Sequence, residues 1–259
     1  MSASAADAQT IAHPKSFLMA SSAAHMTPQE RTSSFSLASI FALRMFGLFI
    51  ILPVFAVYAR ELPGGDSETL VGITLGIYGL TQGLLQIPFG VASDRLGRKP
   101  VIIFGLIIFA LGSFLAASGA NIWIVMLGRM LQGAGAISAA VTAFIADSVR
   151  VQVLTKAMAM VGASIGLTFA LSLLISPPLT KLWGVSGLFT LTGISALIAV
   201  LVVKFVVPPA PQSAIDEKNE HRSWRKVVCD PQLVRLNIGI FVLHAVLTAI
   251  FVVIPTRLV

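Results

Sequence analysis

Seven apolar stretches constrain this chain more than anything else in it. They lie near Phe35–Tyr58, Leu70–Val91, Val101–Ala117, Ile122–Ala146, Ala157–Ile175, Leu188–Val207 and Ile238–Ile254. Each approaches or exceeds the ~17–25 residues that cross the hydrocarbon of a bilayer as a helix. Lipid offers no hydrogen bonds, so a spanning backbone must satisfy its N–H and C=O groups internally, as a helix does. The expected fold class is therefore all-α integral membrane, with the lipid bilayer as the first partner. Composition agrees: 11% of residues are charged and 56% apolar, against about 25% charged in an ordinary soluble domain.

Most links between the runs are short, which makes consecutive helices antiparallel neighbours. The exception is Pro208–Asn237, a polar stretch of mixed charge that opens on Pro208, Pro209 and Pro211. The expected organisation is a disordered cytoplasmic tail over 1–33, a six-helix bundle over 34–207, a cytoplasmic linker over 208–236, and a seventh spanning helix over 237–259. Small residues recur four apart at Gly72 and Gly76, Gly79 and Gly83, and Gly162 and Gly166. That spacing lets helix backbones approach closely, so these glycines are expected at helix contacts. Pro53 and Pro88 should kink their helices, and Pro177-Pro178 should end the fifth.

The net charge of +7 would suggest nucleic acid in a soluble protein; here the bases sit between apolar runs, and no nucleic-acid partner is expected. With the N-terminus inside, the cytoplasmic segments hold Lys15, Arg31, Arg95, Arg98, Lys99, Arg150, Lys156, Lys218, Arg222, Arg225, Lys226 and Arg235. The outer segments hold Arg60, Lys181 and Arg257. The excess of bases on one side orients a membrane protein with that side in the cytoplasm. The single Cys229 excludes an internal disulfide framework. The chain carries no phosphate-binding G-x-x-x-x-G-K-[ST] loop, no Cys/His set with metal spacing and no catalytic triad, so neither an enzyme nor a cofactor is expected. Gly133 and Gly135 lie inside an apolar run and read as packing residues.

The segment Gly90–Pro100 places Asp94 among Arg95, Arg98 and Lys99, between Gly90 and Gly97. An orientation loop needs only the bases. The glycines and the aspartate ask for more: Gly97 permits a tight turn, and Arg98 can pair a carboxylate in a planar, bidentate way. The pattern G-x-x-x-D-R-x-G-R-K-P resembles the loop between helices two and three in the major facilitator superfamily. Arg129, Gln132, Gly133 and Gly135 resemble that family's R-x-x-Q-G-x-G pattern on helix four. The runs around Gly76–Pro88 and Leu43–Pro53 are most similar to its bacterial drug:proton antiporters. The resemblance extends from about Met26 to Val259.

The resemblance implies an N-terminal six-helix bundle plus one further helix, and a secondary transporter in a bacterial inner membrane. Its partners would be a small organic or drug-like substrate and protons. It implies a conformational latch at Gly90, Asp94, Arg95, Gly97, Arg98 and Asp147, in which Arg98 pairs with the carboxylate at the end of helix four. Arg95 and Lys99 read more simply as orientation charges. Arg44 and Arg129 fall within spanning runs, where a bare arginine costs on the order of 2.5–3.5 kcal/mol on insertion scales; both should face a cavity or a polar partner. With His244, whose ordinary pKa suits a proton carrier, they form the set expected in proton coupling or the cavity. Gln82, Gln86 and Gln132 are expected to line the same cavity. Two departures from the family pattern stand out: Ser176 replaces a glycine before Pro177, and no Asp or Glu lies in the middle of a spanning run. The resemblance also implies twelve helices in two halves, so a chain ending after the seventh is expected to be a truncated piece; the competing reading is a transport-inactive membrane protein or partner-binding regulator.

Overall fold

A computed structural model describes residues 25–208 and separate positions between 231 and 250. Among the described residues there are helices and no strands. In chain order they are α1 (Pro28–Phe49), α2 (Leu52–Glu61), α3 (Glu68–Leu96), α4 (Arg98–Ala117), α5 (Ile122–Ala134), α6 (Ser138–Ser148) and α7 (Val151–Phe205). Continuous stacks of these make five membrane-length apolar rods, α1 with α2, α3, α4, α5 with α6, and α7. Gly184, at φ 65°, divides α7. The residues before it pack with α1 and α2 in reverse order to the residues after it: Val161 and Val203 share one core with Leu37, while Leu179 and Val185 share another with Phe55. Alpha-7 is thus a helical hairpin. The seventh helix is expected over Ile238–Ile254; the described positions between 231 and 250 are helical, while His244, residues 1–24, 209–230 and 251–259 lie outside the described residues.

Several expected boundaries move. The first helix begins at Pro28 rather than Phe35, because Thr27 and Glu30 form a reciprocal capping box. The Glu30 Oε2 accepts from the Thr27 N–H at 2.7 Å, satisfying a donor the helix itself cannot. Residues 28–33, expected in a disordered tail, are therefore helical. The expected loop Gly90–Pro100 is also mostly helix: α3 runs to Leu96 and α4 starts at Arg98, so Gly97 alone makes the turn, at φ 94°. The prolines Pro177 and Pro178 do not end a helix, since α7 continues past them to Gly184.

The break between α1 and α2 shows how lipid dictates detail. Near Pro53 the Val54 N–H turns to the Ile51 carbonyl, at 3.3 Å, instead of to that of Ile50. The Ile50 carbonyl is left without its helical donor, and the Ser176 hydroxyl from α7 donates to it at 2.5 Å. The serine that departs from the family pattern thus pairs a carbonyl left open at the break beside Pro53.

Two apolar cores are separated along the bundle axis. One gathers Leu37, Phe41, Ile102, Phe144 and Val203; the other gathers Phe55, Leu75, Ile122 and Phe189. The close helix contacts lie elsewhere than expected. At Gly72, Gly76, Gly79, Gly83, Gly162 and Gly166 a Cβ would meet nothing within 4 Å, so these glycines form open surface among the described residues. Alpha-4 and α5 supply the close approach. A Cβ on Gly112 would stand 2.5 Å from the Gln132 nitrogen, and one on Gly128 2.6 Å from the Ala116 nitrogen. The reason is register: a glycine pair facing a glycine pair brings backbones together, whereas a glycine stripe with no facing helix does not.

At the end of the bundle near residue 150, Glu30 is buried and takes the Arg150 Nε at 2.8 Å and its Nη2 at 3.1 Å. The Arg150 backbone N–H donates to the same carboxylate at 3.0 Å. Hydrogen bonding to Glu30 holds the Arg150 guanidinium above its ordinary pKa. This pair fastens the start of α1 to the link between α6 and α7.

Two outcomes follow for the thermal unfolding of the chain in detergent, read by fluorescence-detected size exclusion. Gly112→Leu and Gly128→Leu should each destabilise by about 1–3 kcal/mol through overpacking against backbone, while Gly76→Ala and Gly162→Ala should leave the midpoint unchanged or raise it. Glu30→Gln should lower the midpoint more than Glu68→Gln, whose pair with Arg60 is largely exposed; equal effects would show that the Glu30–Arg150 tie contributes nothing.

Candidate functional site

Polar side chains gather at two levels. The first is the turn between α3 and α4. Helix α3 ends by presenting Ser93 inward and Asp94 outward, Gly97 reverses the backbone, and Arg98 begins α4. The Arg98 guanidinium then meets three acceptors: Asp147 Oδ2 from Nε at 2.8 Å, Ser93 Oγ from Nη1 at 2.7 Å, and Asp94 Oδ1 from Nη1 at 2.5 Å. Asp147 comes from the last turn of α6, so this one cation ties α3, α4 and α6. The two carboxylates differ: the side chain of Asp147 is 16% exposed and that of Asp94 63%. The Arg98–Asp147 pair is the sheltered half, and Asp94 is the half open to a partner. A Cβ added to Gly90 would stand 3.6 Å from the Ala139 Cβ, an ordinary van der Waals contact. Arg95 is exposed, and Lys99 donates instead to the Val207 carbonyl at the end of α7. Ser93 was not singled out from the sequence; a serine one residue from an aspartate carries no distinguishing pattern.

The second level lies between the two apolar cores. Arg44 on α1 and Arg129 on α5 are each 1% exposed. Both guanidinium groups lie over one ring, that of Tyr78 on α3, with their central carbons 6.0 and 4.8 Å from its centroid. Arg44 donates from Nη1 to Ser138 Oγ and from Nη2 to Gln82 Oε1, each at 3.1 Å. Arg129 donates from Nη1 to Gln132 Oε1 at 3.0 Å, and Gln132 Nε2 donates to Ser113 Oγ at 2.8 Å. A cation over an aromatic face is stabilised by up to about 2 kcal/mol when desolvated. Like charges repel in a low-dielectric interior, and the one Tyr78 ring stabilises both cations.

The sequence reading asked for a cavity or a polar partner at each arginine, and the polar partners are Gln82, Ser138 and Gln132. Gln86 is half-buried, and its Oε1 has no hydrogen-bond partner. Also without partners are the Nε of Arg44, the Nε and Nη2 of Arg129, and the Tyr78 hydroxyl. Neither arginine is in the ion pairs Arg60–Glu68, Arg98 with Asp94 and Asp147, or Arg150–Glu30. Tyr78, Ser113 and Ser138 complete the cluster and were not named from sequence. Tyr78 had a legible signal, as one of two tyrosines in the chain and set within an apolar run four residues before Gln82. Gly133 and Gly135 act as packing residues, since a Cβ on either would strike backbone of α3 or α4.

A sequence profile of the Major Facilitator Superfamily matches residues 37–259. The chain is 45% identical over 235 residues to the inner membrane transport protein YajR of Escherichia coli K12, covering 90% of this chain and 52% of that protein. It is 35% identical over 127 residues to the class B tetracycline resistance protein of Escherichia coli, covering 48% of this chain and 32% of that one. Among solved structures it resembles the human organic anion transporter MFSD10 (TETRAN), with a TM-score of 0.62 at 18% identity over 71% of this chain and 49% of that one, a likeness of fold. The chain spans about half the length of the first curated relative it matches. With the profile covering most of its length and the charged turn and buried arginines in their places on the helices, the chain belongs to the major facilitator superfamily.

Proposed function

We propose that the protein is a secondary active transporter of a bacterial inner membrane, with its N-terminus in the cytoplasm, that exports small organic or drug-like molecules in exchange for protons. The observation that carries this reading is Arg98 held between Asp94 and Asp147 at a single-glycine turn. A static orientation loop has no use for a sheltered ion pair on one side of an arginine and an exposed acid on the other. A latch does: Arg98 and Asp147 keep the first bundle's inner ends together, and Asp94 is free to meet a facing helix when the two halves of a transporter close and to leave it when they rock apart. The distribution of basic residues supports the orientation, and the relatives named for inner-membrane transport and tetracycline resistance support the class.

Gln82, Gln86 and Gln132 belong in this reading to the substrate cavity, with Arg44 and Arg129 beside them. In this reading the two arginines supply the positive charge of the site, and His244 is the residue whose type suits a proton carrier. The competing reading, a transport-inactive membrane protein, draws no support from relatives named for transport.

The test is gradient-driven accumulation of a fluorescent drug-like dye by everted vesicles from cells producing the protein. Asp94→Asn and Asp147→Asn should each lower the initial rate about tenfold or more, the equivalent of ~1.4 kcal/mol. Arg98→Lys should fall with them, because a point charge cannot bond two carboxylates from a planar fork. If Asp94→Asn transports at the wild-type rate, the latch is wrong; if no dye responds to the gradient in the wild type, the export reading is. Arg129→Ala with undiminished gradient-driven uptake would remove Arg129 from coupling.

A further inference from the structure

The unpartnered donors of the buried arginines have a shape. In a guanidinium, Nε and Nη2 share one edge of the plane and point their hydrogens the same way, the edge that takes a carboxylate in two parallel bonds. On Arg129 both atoms of that edge are buried and unbonded, while the remaining nitrogen, Nη1, is occupied by Gln132. The Nε of Arg44 and the hydroxyl of Tyr78 are also unbonded, and Tyr78 lies beneath both guanidiniums. A buried donor left unmade is costly, and a protein that required only packing would have filled a two-donor edge with a carbonyl or a glutamine. Instead the interior of this bundle holds two cations, an empty bidentate edge, and no acid, since the described carboxylates of Glu30, Glu61, Asp66, Glu68, Asp94 and Asp147 lie at helix ends.

We infer that the Arg44–Tyr78–Arg129 cluster is a seat for a carboxylate-bearing organic molecule, with the carboxylate received on the Nε–Nη2 edge of Arg129. This rests on the transport reading above for its meaning, and names the class of substrate. A carboxylate has two oxygens with about four acceptor positions, enough for the Arg129 edge and for a further donor from Arg44 or Tyr78. Bound there it would supply the negative charge that the two arginines lack. The surroundings select an organic anion over a small inorganic one. Phe109 places its ring 5.7 Å from the Arg44 guanidinium, and the Tyr78 ring lies within 6.0 Å of both cations, so an apolar body attached to the carboxylate finds aromatic faces. On α3 the half-buried Gln82 accepts from Arg44 Nη2, and Gly79 and Gly83 beside it are exposed.

The experiment measures the unfolding midpoint of the purified chain in detergent with benzoate, with its neutral isostere benzamide, with benzylamine, and with sodium chloride at equal ionic strength, all without a proton gradient. Benzoate well above its Kd should raise the midpoint by at least about 3 °C, and the other three should not. Arg129→Lys, which keeps the charge and loses the edge, should weaken the benzoate dependence at least tenfold, and Arg129→Gln should abolish it. Equal effects of benzoate and benzamide, or of benzoate and chloride, would overturn the inference, as would an undiminished benzoate response in Arg129→Lys. Should Arg129→Gln fail to fold, the wild-type contrast and Arg129→Lys decide. A benzoate response in a protein whose vesicles transport nothing would keep the seat and discard the export reading; gradient-driven export with no benzoate response would do the reverse.

Discussion

Because lipid cannot donate or accept a hydrogen bond, every polar group turned inward in this bundle must find its partner on another helix. That rule sets the arrangement of the helices more than apolar packing does, since lipid tails are as apolar as the helix surfaces. It is visible where the Ser176 hydroxyl reaches across from α7 to the Ile50 carbonyl, whose helical donor Val54 bonds Ile51 instead. It is visible again where Thr81 on α3 donates to carbonyls of its own helix and to that of Met130 on α5. The Gln132 side chain, which accepts from Arg129 and donates to Ser113, ties α4 to α5 at the depth where both apolar cores end. Beside these bonded groups, the Nε and Nη2 of Arg129 are unbonded, as are the Arg44 Nε, the Gln86 Oε1 and the hydroxyls of Tyr78, Ser34 and Ser172.

The spans were legible in the sequence because their signal is one of length and composition, which no tertiary detail overrides. Their ends and contacts were less so. Nothing local to Gly97 says that the chain there needs one non-helical residue rather than eleven; the capacity of Ser93, Asp94 and Arg98 to bond one another across the turn decides it. Likewise the prolines at 177 and 178 looked like a terminus, but the reversal comes at Gly184, whose positive φ only a residue without Cβ adopts readily. The glycines teach the same lesson. Spacing by four describes Gly72, Gly76, Gly79 and Gly83 well, yet these face open space, while Gly105 and Gly112 meet Gly135 and Gly128 across a helix pair. A spacing rule finds glycines that could allow close approach; which face turns to a neighbour is a property of the bundle.

The charged residues were read from the sequence with more success than their partners. Arg44 and Arg129 are conspicuous as cations in apolar runs, and the cost of that placement required polar company. Gln132, one turn from Arg129 on the same helix, was legible; Tyr78, shared by both arginines, and Ser138, bonded to Arg44, are set by separations of dozens of residues along the chain and leave no local trace. The pair of Glu30 and Arg150, 120 residues apart, is of the same kind. Arg98 and Asp147 were nameable together only because the resemblance to a family supplied the pairing.

The two polar levels are joined by three helices of unequal stiffness. Between the arginine layer and the charged turn, α3 contains Pro88, and the rod that carries both Arg129 and Asp147 is interrupted between α5 and α6, at Gly135–Ile137. Alpha-4 is continuous from Arg98 to Ser113, a length of roughly 22 Å at 1.5 Å per residue. Its two ends bond the two sites: Arg98 holds Asp94 and Asp147, and Ser113 accepts from the Gln132 that holds Arg129. A rod displaced at one end moves at the other, whereas a helix with a proline or a break absorbs the displacement by bending. Of the three rods that join the two levels, α4 is the one with neither a proline nor a break between them, and the glycine contacts at Gly112 and Gly128 seat it closely on α5.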